Sequence, residues 1–192
     1  MYIVPSSSPD VSSSGEASSS ASGRRLGAVL LNPPTGSGRA THRHLEVAAE
    51  LLGCDSVQIA NLNDAATPSV VELNRTGREW TGWAAARRSL TALVADSDEI
   101  LVGWGVSGLS GLAARHRTAQ TTWLFDRLHA AGRCEIWTVG GEPRHPSRWH
   151  QYVSDRHGRA SGDTFSDRLQ TVLLRAAIRE KTTPSVPEMT IS

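Results

Sequence analysis

Gly27-Ala28-Val29-Leu30-Leu31-Asn32-Pro33-Pro34 is the stretch on which the fold turns. Its first five residues are apolar without alternation, the signature of a strand covered on both faces. Pro33 and Pro34 cannot continue a hydrogen-bonded ladder, so the chain must leave the sheet there, with Asn32 at the exit. The same grammar recurs three times along the chain. Apolar runs over 57–62, 99–104 and 135–139 each finish at or just before a short polar signature: Asn61-Leu62-Asn63, Gly103-Trp104-Gly105 and Arg144-His145-Pro146-Ser147.

Helical spacing fills the intervals. Leu45, Ala48, Ala49 and Leu52 mark a helix over 41–52 that Gly53 stops. A Thr67-Pro68-Ser69 turn leads to a short segment with Val71 and Leu73, and 80–94 reads as a long helix. A further helix lies within 112–131, and Phe165, Leu169, Val172, Leu173 and Ala176 predict a closing amphipathic helix over 163–178. Strands alternating with helices of this length imply right-handed crossovers and an α/β fold, a three-layer α/β/α sandwich around a four-stranded, mainly parallel sheet. In such sheets ligands bind in the crevice at the strand C-termini, where all four polar signatures fall.

Composition bounds the rest. The chain has 192 residues, 39% hydrophobic and 20% charged, and a net charge of +1, which suits one core and excludes a strongly basic DNA-coating protein. Residues 1–24 are Ser-rich and expected to be a disordered leader, 25–180 a single α/β domain, and 181–192 a flexible tail. No membrane segment and no signal peptide is expected, and Cys54 and Cys134 lack the spacing of a zinc site or disulfide framework, so a cytoplasmic setting is the expectation. Only Lys181 among the 20 basic residues is a lysine. That arginine excess reads first as compositional bias and second as selection for bidentate contacts.

The polar signatures nominate the site. Gly36 and Gly38 follow Asn32, but neither a GxxxxGK[ST] nor a GxGxxG loop is present. Asn61 and Asn63 would share the face opposite Leu62 if the strand runs that far, and a carboxamide suits reading a nucleobase edge. Trp104 is a stacking candidate or a core residue, and Gly105 permits close backbone approach. Arg144 and Arg148 offer phosphate contacts, His145 a proton donor or acceptor, and Arg156-His157-Gly158-Arg159 extends a basic rim. His42 and His44 have an HxH spacing without a third ligand, so they are expected on a solvated helix face. No metal and no cofactor is expected.

The ordered series LNP, NL, WG, RHP over residues 27–150 resembles the bacterial family designated domain of unknown function 1643. The chain departs from that pattern where Pro34 replaces a serine and Asn63 an aromatic residue. More distantly, Asn32-Pro33, a mid-chain Asn and His145-Pro146-Ser147 resemble the motifs of the uracil-DNA glycosylase superfamily. That resemblance implies a glycosylase-type sandwich in which Asn32 orients water, Asn61 or Asn63 reads a base, and His145 stabilises charge on the departing base. Arg148 and Trp149 stand where those enzymes carry an apolar wedge. The expected activity is hydrolysis of an N-glycosidic bond, and the partner a nucleobase-containing small molecule or nucleic acid. The other readings are a non-catalytic nucleotide or nucleic-acid binding module and a specialised-metabolism enzyme that reuses the pocket. Near-neutral charge favours the small ligand.

Overall fold

Apolar strands flanked by two sets of one-sided helices can bury both sheet faces only as three layers, and that is the arrangement in the computed structural model, which describes residues 23–105, 108–154 and 162–178. The elements run β1 (Arg25–Leu30), α1 (Arg39–Leu51), β2 (Ser56–Asn61), α2 (Val70–Thr76), α3 (Thr81–Asp96), β3 (Glu99–Val102), α4 (Gly111–Ala130), β4 (Glu135–Val139), a 3-10 turn (Pro146–Arg148), α5 (Trp149–Tyr152), α6 (Phe165–Val172) and β5 (Leu173–Ala177). The sheet order is β2-β1-β3-β4-β5. Strands β1 to β4 are parallel, and β5 joins β4 antiparallel with Val139 opposite Leu173 and Glu135 opposite Ala177.

Alternation along the strands sorts the core. Val29, Ala60, Ile100 and Val102 pack under α3 and α4 around Trp83, Leu90, Leu93, Leu124 and Leu128. Leu26, Ala28, Leu101 and Val139 pack under α1, α5 and α6 around Leu45, Ala48, Trp149 and Leu169.

The expected four-stranded sheet therefore has a fifth strand, and the helix expected across 163–178 is corrected. It ends at Val172, and Leu173 to Ala177 extend along β4. The 3–4 spacing of Phe165, Leu169 and Val172 is helical, but the open edge of β4 offers the next five residues a ladder, and tertiary pairing outweighs local periodicity. The segment with Val71 and Leu73 is a short helix whose start Ser69 caps by accepting from the Glu72 amide at 3.2 Å.

Residues 1–22 and 179–192, which hold most of the expected leader and the tail, lie outside the described residues, as do 155–161 with the rim residues Arg156, His157 and Arg159. Arg24 is described, and its guanidinium bonds the Leu52 carbonyl at 3.1 Å and Glu99 at 2.8 Å. Among the described residues no helix is long and apolar enough to cross a membrane, and no three His, Cys, Asp or Glu side chains cluster to hold a metal ion.

Candidate functional site at the strand C-termini

Four parallel strands place their C-termini on one edge, and β1 and β3 are neighbours whose onward connections leave by opposite faces, α1 on one and α4 on the other. That is a topological switch point, where the diverging connections open a crevice. Gly38 starts α1 with φ +61°, a left-handed conformation that favours glycine and turns the chain from the Pro33-Pro34 exit into the helix.

The end of β3 fits tightly against the turn after β4. A Cβ on Gly103 would stand 3.1 Å from both Leu30 Cδ2 and Pro146 Cδ and 3.4 Å from the Arg144 carbonyl. The ends of β1 and β3 and the Arg-His-Pro-Ser turn thus meet around one glycine.

That turn is tied down from three separate parts of the chain. The Gly105 amide donates to the Pro143 carbonyl at 2.6 Å. Trp149 Nε1, buried in α5, donates to the Arg144 carbonyl at 2.8 Å. His44 Nδ1 on α1 meets the Pro146 carbonyl at 2.6 Å, and since a carbonyl only accepts, Nδ1 carries the proton.

Within the turn the tautomer of His145 follows from its partners. The Ser147 backbone amide, which can only donate, points at His145 Nδ1 at 3.3 Å, and the Ser147 hydroxyl lies 2.8 Å from the same nitrogen. Nδ1 is therefore the acceptor and the proton sits on Nε2. Burial, helped by the nearby Arg148 charge, holds the imidazole below its ordinary pKa of 6.5. At neutral pH the ring is an uncharged N–H donor in a fixed orientation.

Asn32 is fixed as firmly. Its amino group donates to the Thr67 carbonyl at 3.3 Å, the Thr67 hydroxyl at 3.0 Å and the Pro33 carbonyl at 3.0 Å. Carbonyl partners settle which end of the amide faces them, so Oδ1 is left as an acceptor without a protein partner among the described residues. The same edge thus holds one oriented acceptor and one oriented donor, both neutral.

The other nominated residues divide. Asn61 closes β2 opposite Leu30, and its Oδ1 is buried without a hydrogen-bond partner among the described residues. Asn63 does not share its face, because β2 ends at Asn61 and the chain turns. Asn63 is 1% exposed, its Oδ1 accepts from the Ala65 amide at 2.9 Å, and it packs beside Gly82 at the start of α3. It closes an Asx turn. Trp104 is buried with its ring centroid 6.0 Å from that of Phe125 and belongs to the α3/α4 core. Arg144 lays its guanidinium 4.1 Å over the Tyr152 ring, with Nε buried and unbonded among the described residues, while Arg148 is exposed.

Two contributors escape a reading of the sequence. His44 is half-buried rather than solvated: its ring stacks on Phe165 at 4.6 Å and parallels Trp149 at 6.3 Å. Gln120, fully buried on α4, donates to the Leu62 carbonyl at 3.1 Å and the Trp83 carbonyl at 2.7 Å, and so holds the chain just past Asn61.

Fold and site together define a doubly wound α/β protein with polar side chains gathered at its switch-point edge. The chain matches the family described as protein of unknown function (DUF1643) over residues 17–147 and belongs to it. No curated protein and no solved structure matches it.

Proposed function

We propose that the crevice hydrolyses the N-glycosidic bond of a nucleobase-containing ligand. The observation that carries this reading is the neutral His145, its Nδ1 occupied by Ser147 and its Nε2–H left to donate. A neutral imidazole donor is suited to an oxygen that gains negative charge only as the reaction proceeds, since it need not give up a proton to help. Asn32 Oδ1 supplies the complementary acceptor.

In the reaction the C–N glycosidic bond breaks and its electron pair leaves with the base. Negative charge spreads to a base carbonyl oxygen, where His145 Nε2–H donates. The sugar carbon, left oxocarbenium-like, forms a new C–O bond to a water held by Asn32 Oδ1. The proton that water loses passes to solvent and then to the released base, because a carboxamide is no general base. Asn61 Oδ1, buried and without a hydrogen-bond partner among the described residues, would accept an N–H of the base edge once its side chain turns outward. Catalysis of this kind rests on positioning and favours ligands with good leaving groups.

Incubating the protein with nucleosides, nucleotides and base-modified oligonucleotides, and measuring free base by chromatography, tests the reading. Asn32→Ala and His145→Ala are each expected to cut release by about 100-fold to 1,000-fold while circular dichroism stays unchanged. Release that survives both substitutions, or no release from any substrate, would overturn it.

A further inference from the structure

A cavity of about 840 Å³ lies beside the crevice on the α1 face, between α1, α5 and α6. Its wall carries Arg39 and Arg43 from α1, His44, His150 from α5, Phe165, and Arg168, which also holds the Gly162 and Asp163 carbonyls. No carboxylate among the described residues lines it. Asp167, next to Arg168, commits its carboxylate to the Thr164 amide and hydroxyl in a capping box, which holds that carboxyl below its usual range. Arg39 and Arg43 stand one helical turn apart, both exposed, with no ion-pair partner among the described residues. The first turn of α1 has no acidic residue and no side-chain cap to offset that charge.

We infer that this cavity binds the phosphate of a small phosphorylated ligand. Like charges gathered around a concave space repel one another and gain most from an anion that neutralises several at once. Two guanidinium forks exceed what a single carboxylate can satisfy and match the three or more oxygens of a phosphate. The volume falls within the range of roughly 300 to 1,000 Å³ found for small-molecule sites. The stacked pair of Phe165 and His44 adds a flat apolar wall for the uncharged part of the ligand. The site is separate from the hydrolase machinery but joined to it, since His44 bonds the Pro146 carbonyl.

Calorimetric titration of the full chain with inorganic pyrophosphate, adenosine monophosphate and adenosine tests the inference. Both phosphorylated probes are expected to bind saturably, and adenosine at least about tenfold more weakly. The double variant Arg39→Ala/Arg43→Ala is expected to lose about tenfold to a hundredfold in affinity for pyrophosphate, as for one or more charge-assisted hydrogen bonds. Both arginines are exposed, so circular dichroism should show an unchanged fold. A His145→Ala variant should bind pyrophosphate like the parent, which separates this site from the hydrolase reading. Equal binding of adenosine and its monophosphate, unchanged affinity in the double variant, or binding confined to oligonucleotides with a steep salt dependence would each overturn it.

Discussion

Replacing Gln120 by leucine removes one side chain and disturbs three partners. The amide of this fully buried residue donates to the Leu62 and Trp83 carbonyls, and its oxygen accepts from Arg87 Nε at 3.1 Å. The three losses are unequal. Arg87 is only half-buried and stacks over Trp80 and Trp123 at 5.0 and 4.6 Å, so its freed N–H reaches water. The Trp83 carbonyl keeps the amide one turn on in α3. The Leu62 carbonyl belongs to a residue with 0% exposure and has no comparable substitute. One orphaned buried carbonyl costs about 1–3 kcal/mol, and leucine fills nearly the same volume, so the expected loss is about 1–3 kcal/mol. For a domain of this size that lowers the thermal midpoint by roughly 2–12 °C. Urea unfolding followed by circular dichroism measures it. Gln120→Glu is expected to be worse near neutral pH, where a carboxylate faces two carbonyls, and to recover in part as acid protonates it and restores a donor. A change below about 0.5 kcal/mol for Gln120→Leu, the range of ordinary surface substitutions, would refute the role assigned to this residue.

Two further outcomes follow from the turn after β4. His145 has a folded-state pKa below its ordinary 6.5, so its contribution to stability is present above 6.5 and is lost as pH falls through the lower folded-state value. Urea midpoints between about pH 8 and 5 should therefore fall less steeply with acid in His145→Gln than in the parent. Gly103→Ala drives a methyl against Leu30 and the rigid Pro146 ring, and is expected to cost about 1–3 kcal/mol of unfolding free energy and to reduce base release more than its stability loss explains. Parent-like stability and activity in that variant would show that the turn shifts freely.

The four strands and most helices were legible because each strand is a short, mostly apolar run and each long helix buries residues along one side, signals complete within ten to twenty residues. Leu173 to Ala177 was not, because its burial barely alternates and its extended form depends on β4, more than thirty residues earlier. Asn32 and His145 were visible as polar residues at strand exits, but which of their atoms remain available depends on Thr67 and Ser147 and appears only in three dimensions. His44 reads as solvated in the sequence because the carbonyl that fixes it lies 102 residues away. Gln120 looks like any polar residue on a helix, and no local pattern distinguishes it from its exposed neighbours. The Asn61–Asn63 pairing failed for a simpler reason: alternation extrapolated past a strand end carries no information.

Because β5 runs back along β4, the described chain leaves the domain where it entered. Arg24 precedes the start of β1 and reaches Glu99 at the start of β3, while the Ile178 amide bonds the Cys134 carbonyl just before β4. Both termini of the described domain thus emerge at the edge opposite the crevice. A tether joined at residue 23 or residue 178 would start from that far side, away from the strand C-termini.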